Sequence, residues 1–191
     1  MRYQPEHRAR IRQKIVKDAA RRLRAEGLGG SAVTAVMRDA GLTHGGFYKH
    51  FASKDQLVTE SLREAFQQVA DTLVHAAQNR QRGTAWKSIV KTYLSAEHCD
   101  HAECGCPLAA LASEFARADT AMKAQILGEL EKYKSRMLPF MPGRRTADKE
   151  RAFLVIFSTM LGALAIARML PHQAQRAKVL ANTRDFLLRS F

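Results

Sequence analysis

TAVMRDAGLTHGGFYKHFASKDQL, residues 34–57, is the stretch on which the reading turns. Val33, Val36, Met37 and Ala40 are spaced for the buried face of a short helix that starts after Ser31, a natural N-cap. Ala40-Gly41-Leu42 interrupts it, with a glycine where a tight turn needs unusual backbone angles and an apolar residue to pack beneath. Thr43 can cap a third helix, which must be short because Ser53-Lys54-Asp55-Gln56 reads as a new capping box. Two short helices joined this way have helix-turn-helix geometry. In the third, Phe47 and Phe51 can anchor the core, leaving Thr43, His44, Gly45, Tyr48, Lys49 and His50 for outside contacts. Gly45 and Gly46 each cost a helix roughly 1 kcal/mol relative to Ala. Close approach of backbone N–H groups to DNA would account for that cost.

Outward from this stretch, helical periodicity dominates and no run alternates apolar and polar in the manner of a strand. The chain reads as all-α, with about nine helices. The first spans residues 6–26, with Ile11, Ile15, Ala19 and Leu23 on one face and Gly27 as its C-terminal cap. A fourth, residues 54–78, is long enough to connect two parts, a helix-turn-helix domain at 1–53 and a helical domain at 54–191. Further helices are expected at 85–95, 108–116, 119–138 (capped by Asp119), 147–170 and 173–190, with residues 98–107 irregular.

The net charge of +13 is unusual for 191 residues, and its distribution is informative. Residues 1–54 hold 12 Lys and Arg against four Asp and Glu, so the first quarter carries +8 and the remainder only +5. A phosphate-binding module produces such asymmetry, although a solvated basic helix would look the same by charge alone. Residues 152–167 are uncharged, but they are too few for a span of about 20 residues and include Ser158, Thr159 and Gly162, so a buried helix is expected and no membrane. There is no secretory signal and no disulfide framework, which points to the cytoplasm. No Ser/His/Asp context, glycine-rich phosphate loop or HExxH supports an enzyme, and no cofactor is implied. A non-specific nucleic-acid binder would explain the charge but not the short helix with its glycine pair.

The order of features from Ile11 to Leu62, including Gly27, Ser31, AGLT, FYKHF and SKDQL, resembles the DNA-binding signature of the tetracycline-repressor (TetR) family. The resemblance implies that THGGFYKH is the recognition helix, that Thr43, Tyr48, His50 and Lys54 hold phosphates, and that His44, Gly45 and Thr34 face bases, with Lys49 able to reach either. Ser31 stands where the family more often has Thr, which keeps a phosphate role open for it. The family also implies a homodimer on a palindromic operator, repression as the usual outcome, and a small-molecule effector in a cavity among the central helices, which makes 54–191 the ligand-sensing and dimerisation domain. Recognition helices of a dimer sit about 34 Å apart on successive major grooves.

Phe153, Ile156, Phe157, Met160, Leu161, Leu164 and Ala167/Arg168, with Leu180, Phe186 and Leu187 on the last helix, form an apolar stripe that suits a dimer seam or, equally, a plain core. Trp86, Tyr93, Cys106, Phe115, Met122, Ile126 and Tyr133 are candidates for the cavity lining and serve as well for ordinary core; their apolar character favours an uncharged hydrophobic ligand. His98, Cys99, His101, Cys104 and Cys106 crowd into nine residues. They allow a zinc or copper site, a thiol sensor with a lowered pKa at residues 98–106, or incidental cysteines. Gly105-Cys106-Pro107-Leu108 also resembles a GCP-type element of one TetR subgroup, where it opens a helix beside the cavity.

Overall fold

Ile15, Ala19 and Leu23 recur every fourth residue, are fully buried, and define the inner face of α1 (Pro5–Glu26). Gly27 ends it at φ +80°, its N–H donating to the Leu23 carbonyl at 3.0 Å. The computed structural model describes residues 5–81 and 83–191, the side chains of Pro5 and Ser31 apart. A 3₁₀ turn (Leu28–Ser31) leads into α2 (Val33–Asp39), another 3₁₀ segment (His44–Lys49), and α3 (Lys54–Gln78). Then come α4 (Ala85–Tyr93), α5 (Ala96–Asp100), a 3₁₀ turn (Ala102–Cys104), α6 (Pro107–Arg117), α7 (Thr120–Met137), α8 (Thr146–Met169) and α9 (Gln173–Ser190). The all-α expectation is borne out, and the described residues contain no strand.

The core falls into three clusters. Ile15, Val16 and Ala19 of α1 close on Val36, Met37, Phe47, Phe51 and Leu57. Leu23 meets Val58, Leu62, Leu111 and Phe115 where α1, α3 and α6 cross. The largest joins α3, α4, α7, α8 and α9 around Trp86, Tyr93 and Phe157. α3 contributes to all three and, at 1.5 Å per residue, is about 37 Å long.

Four local expectations change. The N-cap of α2 is Ala32, not Ser31, which instead closes the preceding 3₁₀ turn. The third helix is 3₁₀ rather than α: a segment of six residues with a glycine pair does not sustain α geometry. The stretch at 98–107 is ordered, with Ser95 accepting from the His98 N–H at 3.1 Å to cap α5 and Cys99 buried beneath it. The proposed seam stripe on α8 lies inside its own chain: Phe153, Ile156, Phe157, Met160, Leu164 and Ala167 are buried, as are Leu180 and Leu187 on α9. The outward apolar residues are Leu154, Val155, Ile166 and Met169 on α8 and Phe186 on α9, with Met169 81% exposed. Because α8 is apolar on nearly every side, periodicity did not separate its two faces. By length and composition α8 alone among the described helices could cross a membrane, but it packs as a core helix against α9 and α6.

Candidate functional site

The turn between α2 and the His44–Lys49 segment is built around Gly41 at φ +75°, which L side chains rarely adopt. The Gly41 N–H donates to the Arg38 carbonyl at 2.9 Å and the Leu42 N–H to that of Met37 at 2.8 Å, so α2 runs straight into the turn. Thr43 is extended, as an N-cap is, but its hydroxyl makes no capping bond to the segment it precedes. Phe47 and Phe51 are buried and stacked, ring centroids 5.5 Å apart. Tyr48, its ring edge-on to Phe47 at 5.2 Å, is 71% exposed.

Thr34, Thr43, His44, Gly45, Lys49 and Lys54 are exposed, and Gly46 and His50 half-buried; the Ser31 side chain lies outside the described residues. Lys54 opens α3 just beyond Ser53, whose hydroxyl accepts from the Gln56 N–H at 3.1 Å while the Gln56 side chain accepts from the Ala52 N–H at 2.8 Å. Two arginines of α1, not singled out in the sequence, brace this surface. Arg8 donates to the Lys49 carbonyl. Arg12 donates to the His50 carbonyl at 3.2 Å, pairs with Glu60 at 2.5 Å and lies over the Phe51 ring at 4.7 Å. Their only sequence signal was the basic excess of the first 54 residues. Burial, then Arg8, Arg12 and Lys49, push the His50 imidazole below its ordinary pKa, so at neutral pH it offers a hydrogen bond rather than a charge.

The cysteine and histidine stretch resolves differently. Half-buried in the loop, His98 donates from Nδ1 to the Tyr93 carbonyl at 2.7 Å, and its Nε2 accepts from the Cys106 N–H at 3.0 Å. A carbonyl can only accept, which places the proton on Nδ1. Burial, assisted by Arg168 and Arg24, lowers the His98 pKa to about 4 against the opposing bond to Tyr93. With both ring nitrogens engaged, Cys99 and Cys106 buried, and His101 and Cys104 at the surface, the five residues do not form a ligand set. No group of three or more His, Cys, Asp and Glu suited to a metal occurs among the described residues. The lowered thiol pKa is also corrected: burial pushes both Cys99 and Cys106 upward, which depletes the reactive thiolate.

Tyr93, Trp86, Cys106 and Tyr133 share the largest core cluster, whereas Phe115 belongs to the α1–α3–α6 cluster with Met122 and Ile126 packed against it. A groove of about 300 Å³ lies between α3, α4 and the α5 loop, lined by Thr72, Thr92, His98, His101 and Cys104. Arg24 of α1, 3% exposed, reaches that loop: it donates to the Glu103 carbonyl at 2.7 Å and to Gln68 at 2.8 Å. Arg168 of α8 holds the loop from the other side, donating to the carbonyls of His98 at 2.7 Å and Cys99 at 3.2 Å. Neither contact had a signal in the sequence.

Comparison with known proteins follows the same lines. The family model of bacterial regulatory proteins, tetR family, matches residues 15–60. No curated protein sequence matches the chain. A TetR transcriptional regulator from Chloroflexus aurantiacus is similar in structure with a TM-score of 0.76 at 21% identity, covering 95% of this chain and 94% of that one. The TetR-family regulator of Cytophaga hutchinsonii also gives 0.76 at 19% identity, covering 98% and 97%. FadR from Bacillus subtilis, solved in complex with stearoyl-CoA, gives 0.63 at 15% identity, covering 92% and 96%. Residues 15–60 thus match the tetR-family model, within a chain that has the fold of TetR regulators.

Proposed function

We propose that the chain is a ligand-responsive transcription regulator acting in the cytoplasm, with residues 1–53 binding DNA and residues 54–191 sensing a small molecule and dimerising. The observation that carries the reading is the placement of Tyr48. Its ring stands 71% exposed on a short segment whose two phenylalanines are buried, among Thr43, His44, Lys49 and Lys54 and braced by Arg8. A large side chain ending in a hydroxyl and set among cations suits a phosphate. In this reading Thr43, Tyr48, His50 and Lys54 fix the backbone of the duplex, as Ser31 does beside them. His44, Gly45 and Thr34 meet bases, Gly46 lets the backbone approach, and Lys49 serves either role.

A 3₁₀ segment of six residues rises about 12 Å and reads only a few base pairs, so two copies act together on a palindromic operator as a homodimer, and repression is the outcome the family resemblance implies. The dimer is formed by α8 and α9 through the outward face of Leu154, Ile166, Met169 and Phe186. The effector is a small molecule received among α4, α6, α7 and α8; FadR, with the same fold, is solved with stearoyl-CoA.

The test uses a duplex selected from a random pool by the full-length protein. Tyr48→Ala and Lys54→Ala should weaken binding to every sequence, and Lys54→Ala should shallow the salt dependence by about one phosphate contact. His44→Ala should change the preferred bases. Binding to the selected palindrome should exceed binding to random DNA by about a thousandfold or more. Unchanged affinity and preference in all three variants would sink the assignment.

A further inference from the structure

We propose that the effector is an anion, a carboxylate or equivalent acidic oxygen on an apolar body, and that Tyr93 and Arg168 are the donors that hold its charged end. The inference rests on the effector-responsive reading above and replaces the uncharged ligand that apolar composition favours. Tyr93 on α4 is fully buried, yet its hydroxyl makes no hydrogen bond among the described residues and meets only the thiol of Cys106, a weak partner. Arg168 spends Nε and Nη2 on the carbonyls of Cys99 and His98, while its Nη1 is buried with no acceptor. Interiors rarely leave such donors unmatched, and here two of them lie within electrostatic reach of each other.

The sign of the missing partner follows from the charges around it. Arg168 has no ion pair among the described residues, and Arg24, which acts on His98 together with it, is also bound only to carbonyl and amide oxygens. His98, between them, is neutral, its ring nitrogens committed to Tyr93 and Cys106. Asp100 is taken by Arg176 at 3.2 Å. Glu103, whose carboxylate acts on Arg168 from the loop, makes its side-chain contact with His101 at 3.4 Å and with neither guanidinium, so the buried Nη1 still lacks a charged acceptor and a carboxylate fits it better than a neutral group. A side chain at residue 105 would bring its Cβ within 2.6 Å of Arg168 Nη2, so Gly105 allows the guanidinium to sit this close to the loop.

The apolar body has a matching surface. Tyr133 lies against Phe157 at 5.2 Å and Phe153 at 6.2 Å, and Tyr93 faces Phe157 at 6.3 Å. Two grooves of about 200 Å³ each along the α3–α7 seam share Arg63, Phe66, Glu129 and Lys132, Tyr133 lines one of them, and this seam is the proposed way in. α7 is the wall suited to move: of its 18 residues only Tyr133 and Met137 are buried, and it is tied to α3 by exposed pairs such as Arg136–Asp71. A carboxylate reaching Nη1 competes for the guanidinium that grips the His98 and Cys99 carbonyls. Loosening that grip frees the loop that Arg24 fastens to α1 through the Glu103 carbonyl, which carries the signal to the DNA-binding end.

The experiment takes the full-length protein and pairs of probes, aromatic and medium-chain carboxylates each with its primary amide, read by thermal shift and by the fluorescence of Trp86, the single tryptophan. At least one carboxylate should bind tenfold or more tighter than its amide. Tyr93→Phe, which removes one oxygen and keeps the ring, should lose about tenfold of that preference, as should Arg168→Gln, while Arg168→Lys should recover part of it. Amides binding as well as carboxylates, no carboxylate bound up to millimolar concentration, or a folded Tyr93→Phe that discriminates as the wild type does would each overturn the proposal. Release of selected DNA is measured in parallel. Carboxylate binding without any effect on DNA supports the anion site and refutes the effector-responsive reading; release of DNA by the amides alone does the reverse.

Discussion

Protonating His98 would place a charge beside the Arg24 and Arg168 guanidiniums, on a ring whose acceptor nitrogen already takes the Cys106 N–H. Its pKa in the folded protein, about 4, lies below the ordinary 6.5, so below pH 6.5 the unfolded chain binds the proton more readily. The stabilisation is complete above that pH and is lost as pH falls toward 4, by up to about 3 kcal/mol. Urea unfolding across this window should show a smaller acid loss in His98→Asn, whose amide does not titrate and can still donate to the Tyr93 carbonyl; identical losses would remove His98 as the cause. Gly45 supports a second prediction at this scale. A Cβ there meets nothing within 4 Å and its φ is ordinary, so Gly45→Ala should raise stability by about 0.5–1 kcal/mol. If the backbone approaches DNA at this point, the same variant should bind its duplex more weakly, whereas unimpaired binding would show that Gly45 has no role at the interface.

At the scale of elements, the connection from α1 to the α5 loop is a matter of one buried cation. Arg24→Met leaves the Glu103 and Ala65 carbonyls and the Gln68 amide without their donor and should cost about 2–3 kcal/mol in urea unfolding. Arg63, by contrast, pairs with Glu129 from a side chain that is 56% exposed, and Arg63→Ala should change stability by less than about 1 kcal/mol. Comparable losses in the two variants would mean that the loop is not fastened through Arg24. The 3₁₀ form of the His44–Lys49 segment belongs to the same scale: glycines and brevity weaken its own helicity, and the buried Phe47 and Phe51 hold it, each contributing about 1.5–3 kcal/mol by burial.

For the whole molecule, the outward apolar face of α8 and α9 is the feature that this chain leaves exposed, and the proposed dimer would cover it. If the proposed dimer forms through this face, Ile166→Glu, a charge at a 54% exposed position, should leave the helical content intact while sedimentation equilibrium shifts from dimer to monomer and DNA affinity falls. A variant that remains dimeric would move the interface elsewhere. The sequence by itself determined the all-α class, the turn at Gly41, the caps at Ser53 and Asp119, and the inward Phe47 and Phe51 beside an outward Tyr48. Each of these follows from residues within a turn or two of one another, where spacing and capping chemistry act. Only the tertiary structure decided that Ala32 rather than Ser31 caps α2, that the former seam stripe of α8 faces its own core, and that both ring nitrogens of His98 are engaged by the backbone at Tyr93 and Cys106. It also decided that Arg24 grips Glu103 across 79 residues and Arg168 grips His98 across 70. Such contacts are chosen by how helices cross and by which buried donors find acceptors, and local periodicity carries no record of either.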